Sequence, residues 1–270
     1  MKKLTAIFFF LFSFSLVCLA QKDSSFQLLK IIKGDIVDFT VDILDNIYIL
    51  TSTDQLKKID AKDDSIGVFN NVKKFGKISV IDVSNPLKVL LYYKDFSTIV
   101  ILDRLLNIRN AIDLRNQNIF QVTAICLSYD GKVWLYDEIA NKLKKIDEDG
   151  TVLNETPDLR SVFTETPAPQ QLFDQDGQVY LYDTAKGIFV FDYYGSFKNK
   201  IPIINWQNLK VIGKYIFGVI NNRLNRYQIS TFSFQEQPLA KQLLPYSLLN
   251  FTSSRLYAFK KDSIEIYSLH

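Results

Sequence analysis

Short apolar runs separated by polar turns recur along the chain at a nearly fixed spacing. Asn46-Ile47-Tyr48-Ile49-Leu50, Lys132-Val133-Trp134-Leu135-Tyr136, Gln178-Val179-Tyr180-Leu181-Tyr182, Tyr215-Ile216-Phe217-Gly218-Val219 and Arg255-Leu256-Tyr257-Ala258-Phe259 share an aliphatic-aromatic pair inside a strand-forming run, and Lys88-Val89-Leu90-Leu91-Tyr92 repeats it with Leu for the aromatic. The aliphatic positions 47, 89, 133, 179, 216 and 256 lie 42, 44, 46, 37 and 40 residues apart. Eight to ten residues after each anchor a second column follows, as in Leu56-Lys57-Lys58-Ile59-Asp60, Ile99-Val100-Ile101-Leu102-Asp103 and Leu143-Lys144-Lys145-Ile146-Asp147. Asp closes four of its six copies, at Asp60, Asp103, Asp147 and Asp192.

A further run precedes each anchor, such as Asp38-Phe39-Thr40-Val41, and a fourth follows the Asp column, such as Ile108 to Ile112. Asp130-Gly131 and Asp176-Gly177 stand where a tight hairpin between the first two runs needs positive φ. Four strands per unit of about 42 residues is one blade of a β-propeller. The spacing therefore predicts an all-β fold, a six-bladed propeller of four-stranded antiparallel blades. The sixth unit has no fourth run before His270, whereas Phe26 to Ile32 is a strand without a blade. Pairing it into the last blade would close the ring and remove an exposed edge.

Ahead of that strand, Lys2 and Lys3 precede an apolar stretch from about Ala6 to Val17, too short for a stable membrane span. It reads as a secretory signal peptide over residues 1–20 cut before Gln21, leaving 21–270 as a single propeller domain. Cys18 offers a lipoprotein alternative, but Val17 is a poor residue before a lipidated cysteine. Localisation is expected to be periplasmic or outer-membrane-associated, with membrane contact only through partners or a lipid on Cys18.

The stretch from Asp130 to Asp137, continuing through Asn141 to Asp147 and Gly150, resembles an NHL-type propeller repeat, and Asp174 to Asp192 matches it more weakly. The remaining units share only its apolar columns, so the resemblance implies the fold and no activity. The Phe-rich leader and the abundance of Lys, Ile, Asn and Tyr resemble exported proteins of the Bacteroidota. That likeness implies partners among envelope assemblies, including type IX secretion or outer-membrane glycan-uptake machinery.

The formal charge is +3, and removing Lys2 and Lys3 leaves 30 basic against 29 acidic groups. Such a balance supplies no field for polyanions, so nucleic acid is not an expected partner. With Cys18 removed, Cys126 stands alone and no intramolecular disulfide can form. Its apolar surroundings mark it as a buried thiol. The single histidine, His270, is the final residue, which argues against a Ser-His or Cys-His nucleophile. Asp38, Asp42 and Asp82, near the inner strands, are the starting points for an axial cation of lactonase type, but carboxylates at strand ends commonly accept turn N–H bonds. The Asp column is assigned to turn capping and the aromatic column to inter-blade packing. No catalytic residue, metal or cofactor is expected.

Function is expected in the loops that interrupt the repeat. Arg115-Asn116-Gln117-Asn118-Ile119-Phe120, the long Leu159 to Pro169 insertion with Arg160 and Phe163, and Pro202 to Trp206 connect successive blades, and those loops share one face with Phe96 of a second-to-third-strand loop. Phe96, Arg115, Asn116, Phe120, Arg160, Phe163 and Trp206 are thus the predicted face for a protein partner, Arg and aromatics being the types that dominate interface energetics. The reading is a non-catalytic exported scaffold. The alternatives are a metal-dependent sugar or lactone hydrolase and a glycan-binding module using Trp206.

Overall fold

The computed structural model describes residues 26–62 and 64–269; the leader, Cys18 and His270 lie outside the described residues. Six four-stranded antiparallel sheets are formed in chain order. Their inner strands are Asp38–Val41, Val80–Asn85, Val122–Leu127, Gln171–Gln175, Gln207–Ile212 and Leu248–Phe251. Each inner strand touches the next, and the sixth touches the first, so the sheets stand as blades around one axis. The ring closes as the repeat predicts. Phe26–Lys33 forms the outer strand of the sixth blade, running antiparallel to Ser263–Leu269 from Phe26 opposite Leu269 to Lys33 opposite Ser263.

Apolar residues on both faces of each sheet give one buried cluster between every pair of neighbouring blades rather than a single central core. Tyr48 and Leu56 pack on Val89 and Val100 between blades 1 and 2, and Leu90 and Ile101 on Ile125 and Val133 between blades 2 and 3. The last cluster joins Tyr257 and Ile264 to Phe39 and Ile47, sealing blade 6 to blade 1. Burial of each such side chain contributes about 1.5–3 kcal/mol. In the aromatic column, Tyr48, Trp134, Tyr180 and Tyr257 are fully or almost fully buried. Two of the paired lysines cover it: Lys58 Nζ lies 5.0 Å from the centre of the Tyr48 ring and Lys145 Nζ 5.2 Å from that of Trp134. Their cationic heads sit over aromatic faces while their stems fill the space between blades.

The Asp column repeats one turn four times. Asp103 Oδ1 accepts the N–H groups of Leu105 and Asn107 at 2.8 and 2.9 Å, and Asp60, Asp147 and Asp192 each accept from the residues two and four positions on. The carboxylate thereby satisfies turn donors that no strand can reach. At Gly131, φ is +79°, and the Asp176-Gly177 hairpin has both residues at positive φ, as a two-residue turn of this type requires.

Candidate functional site

The blade-to-blade connections and the second-to-third-strand loops share one face. There, Phe96 ends the turn Lys94–Phe96, and Ser97 continues it in the left-handed region. Ser97 Oγ donates to the Phe120 carbonyl at 3.0 Å, while Leu114 N donates to the Ser97 carbonyl at 3.0 Å. Phe96 and Phe120 are thus held on adjoining loops, 46% and 55% exposed. Phe96 also lies over Gly76, where a Cβ would stand 2.9 Å from its ring.

Arg115 and Arg160 occupy equivalent places in two copies of an Asp-Leu-Arg triplet. Asp113 accepts from Arg115 Nε at 2.8 Å and Nη2 at 2.6 Å, and Asp158 accepts from the same atoms of Arg160 at 2.9 and 2.5 Å. The guanidinium groups hold both carboxyls below the usual carboxylate range. The intervening Leu114 and Leu159 point into the core. Both arginines are exposed but neutralised from within, and Asn116 is exposed beside the first.

Phe163 and Trp206 belong to the packing instead. Phe163 is half-buried and edge-on to Phe189 and Phe197, with centroids 5.1 and 4.8 Å away. Trp206 is buried among Tyr180, Tyr182 and Ile216 between blades 4 and 5, and its carbonyl accepts from Tyr182 Oη at 2.8 Å. The turn at Asn205, φ +57°, folds the indole inward and leaves Ile204 exposed in its place. This corrects the expectation that Trp206 is presented to a ligand.

Along the axis runs a channel of about 770 Å³, lined by the inner strands and opening at the turns between first and second strands. The sheet register aligns Thr40, Asp82, Cys126, Phe173, Lys210 and Asn250, one from each blade, opposite the aromatic column. Asp82 and Lys210 are the charged members of this layer. Asp82 accepts from Ser84 N at 2.7 Å and Leu127 N at 2.6 Å, tying blade 2 to blade 3. Asp174, one residue beyond Phe173, accepts from Tyr193 Oη at 2.7 Å, Ser128 Oγ at 2.9 Å and Trp134 Nε1 at 3.2 Å. Burial raises its pKa, and these donors pull it back. Cys126 is buried, and desolvation together with the charges of Asp82 and Asp174 pushes its thiol pKa well up.

The three acids considered for a cation are not gathered into a donor set. Asp42 accepts Leu44 N, Asn46 N, Asn46 Nδ2 and Tyr48 Oη within its own turn region, and Asp38 accepts Phe39 N at 2.7 Å. Among the described residues no three His, Cys, Asp or Glu side chains converge as metal ligands. Lys210 within the channel and Asp174 and Tyr129 toward its mouth were not singled out by the sequence. Of these only Lys210 carried a signal, in the seven- or eight-residue offset from the aromatic column, where it and Asp82 interrupt Thr, Cys, Phe and Asn.

No protein-family model matches the chain, and comparison with curated proteins finds no match. Among solved structures, virginiamycin B lyase from Staphylococcus aureus in complex with quinupristin aligns at 14% identity and TM-score 0.59, over 89% of this chain and 99% of that one. The Neurospora crassa Pan2 WD40 domain aligns at 10% identity and TM-score 0.62, over 92% and 96%. The extracellular domain of a putative hybrid two-component system from B. thetaiotaomicron aligns at 15% identity and TM-score 0.54, over 84% of this chain and 33% of that one. These neighbours include an enzyme and a WD40 domain, and at such identities the likeness shows the β-propeller fold alone.

Proposed function

We propose that the chain is an exported, non-catalytic propeller that binds a protein partner in a cell-envelope assembly through the face carrying its blade connections. The observation that carries this reading is the pair Phe96 and Phe120, two exposed aromatic side chains on adjoining loops whose backbones the Ser97 hydrogen bond joins. Val37, Ile139, Val162 and Ile204 extend the apolar character of the same face, each about half exposed. Arg115 and Arg160 supply polar rim groups whose charge is already paired, so covering them does not strand a lone cation. Loops tied in this way lose little backbone freedom on docking, which favours their aromatics as anchors.

The test is capture of a partner from native envelope extract by tagged protein, with Phe96→Asp/Phe120→Asp compared against Leu87→Asp on the opposite face. The first variant should lose the partner and the second should keep it. Equal capture by both would remove the basis of the proposal.

A further inference from the structure

The channel contains a cation that the fold does not use. Lys210 lines the cavity on blade 5, three blades from Asp82 in the same layer and therefore across the axis from it. Its ammonium has no hydrogen-bonded partner among the described residues, and its electrostatic neighbours are Asp82 and Asp38. Neither acid forms an ion pair with it among the described residues, and both accept backbone N–H groups. Burial pushes the Lys210 pKa down while the two carboxylates pull it up. Lys210 is half-buried, and its ammonium, lining the channel without a hydrogen-bonded partner, presents its donors to whatever occupies that space, so a ligand that accepts from it gains charge-assisted hydrogen bonds.

The surrounding charge selects the class of ligand. An anion drawn to Lys210 would meet Asp38, Asp82 and Asp174, and a cation drawn to those acids would meet Lys210. A neutral molecule with several hydroxyls accepts from the amine and donates to a carboxylate without adding charge. The mouth supplies a flat surface as well. Tyr129 is 71% exposed and stacked on Tyr193, with centroids 4.7 Å apart and the rings within 8° of parallel. Lys145 lies 5.7 Å from the first ring centre and 5.2 Å from the second, and Asp174 holds the Tyr193 hydroxyl at 2.7 Å, so the platform is braced from behind. Tyr129 follows Cys126 of the Lys210 layer by three residues, in the turn past the strand end at Leu127, so the two levels are at most roughly 10 Å apart. That depth matches one or two sugar rings.

We infer that the axial channel binds a short neutral saccharide, whose ring lies on Tyr129 while its hydroxyls accept from Lys210 and donate to Asp82. The site is distinct from the Phe96–Phe120 face, and its ligand and the protein partner bind independently. The experiment is calorimetric titration of the full chain with glucose, galactose, mannose, N-acetylglucosamine, cellobiose, lactose and chitobiose, with glucuronate and glucosamine as charged counterparts. At least one neutral sugar is expected to bind with Kd in the millimolar range or tighter, and the charged sugars about tenfold more weakly or not at all. Lys210→Met and Tyr129→Ala should each weaken binding about tenfold with the fold retained by circular dichroism, whereas Phe96→Asp/Phe120→Asp should leave it unchanged. No binding of any neutral sugar at about 10 mM would overturn the inference, as would charged sugars binding equally well, or retained affinity in both channel variants.

Discussion

The indole Nε1 of Trp134 in blade 3 donates to Asp174 Oδ2 on the inner strand of blade 4 across 3.2 Å. The same relation recurs where the ring closes: Tyr257 Oη of blade 6 donates to Asp45 of blade 1 at 2.7 Å, beside Thr252 Oγ1 at 2.9 Å. The aromatic column thus does more than fill the space between sheets. At Trp134 and Tyr257 the polar tip latches one blade to a carboxylate of the next, whereas Tyr48 and Tyr180 bond Asp42 and Gln178 of their own blades; the two inter-blade latches fix the angle between those neighbouring sheets as dispersion alone would not.

Asp174→Ala should therefore destabilise through the donors it abandons. Trp134 Nε1, Ser128 Oγ and Tyr193 Oη would all lose their acceptor, two of them belonging to buried residues. The expected cost is about 2–4 kcal/mol, a fall in Tm of roughly 4–16 °C for a domain of this size. Thermal unfolding followed by circular dichroism checks it, and a shift below about 2 °C would show that water replaces the carboxylate without loss.

Lys210 makes an opposite prediction. Its folded-state pKa lies below the ordinary 10.5, because burial outweighs the pull of Asp82 and Asp38. Between those two values the unfolded chain holds more protons than the folded one, so this group's contribution to stability rises with pH through that window. Below the window the desolvation penalty on the ammonium is present in full. Lys210→Met should accordingly be more stable than the parent by about 1 kcal/mol near pH 7. That advantage should shrink as pH approaches 10.5. Urea unfolding of both proteins across this range measures the difference, in which the tyrosines common to both cancel.

The blades were legible because a propeller repeats its burial pattern. An aliphatic-aromatic pair must recur wherever a second strand faces its neighbours, and Asp recurs where the same turn needs the same two N–H groups capped. The face loops were legible only in part. Aromatic identity does not distinguish a ring that anchors a partner from one that fills a groove, so Phe120 and Trp206 look alike in sequence although one is exposed and the other buried. The pairing of Arg115 and Arg160 with the acids two residues earlier could have been read from the repeated Asp-Leu-Arg triplet. The opposition of Asp82 and Lys210 could not, since it emerges only when strands 128 residues apart are brought to the same level of one ring.

Closure of that ring depends on a strand from the other end of the chain. Phe26 is 3% exposed, packed with Val219 of blade 5, Leu243 of the connection and Tyr267 of blade 6, and its carbonyl accepts from Gln242 Nε2 at 2.7 Å. Phe26→Ala should cost about 3–5 kcal/mol through the cavity it leaves. It should also loosen the Phe26–Lys33 strand before the other blades open, so hydrogen exchange should show protection falling first at Phe26–Lys33 and Ser263–Leu269. Uniform loss across all six blades would indicate that the ring unfolds without regard to its seam.

Gly218 tests whether the one buried tryptophan outside the repeat is a tolerated accident or part of the packing. The equivalent positions hold Ile49, Leu91, Leu135, Leu181 and Ala258, so a glycine here breaks the column. The break has a cause: a Cβ on Gly218 would stand 2.8 Å from Trp206 Cε3 and 3.0 Å from its Cβ. The indole occupies the volume that a leucine fills in three other blades. Gly218→Leu should then destabilise by about 1–3 kcal/mol through overpacking, and Trp206→Ala by about 3–5 kcal/mol through the void. Together the two changes should cost less than their sum by about 1–3 kcal/mol, because the leucine enters the space the indole vacates. Denaturant unfolding of the four proteins closes the cycle. Additive costs would mean that glycine and tryptophan do not share this volume, and the absence of a side chain at position 218 would need another cause.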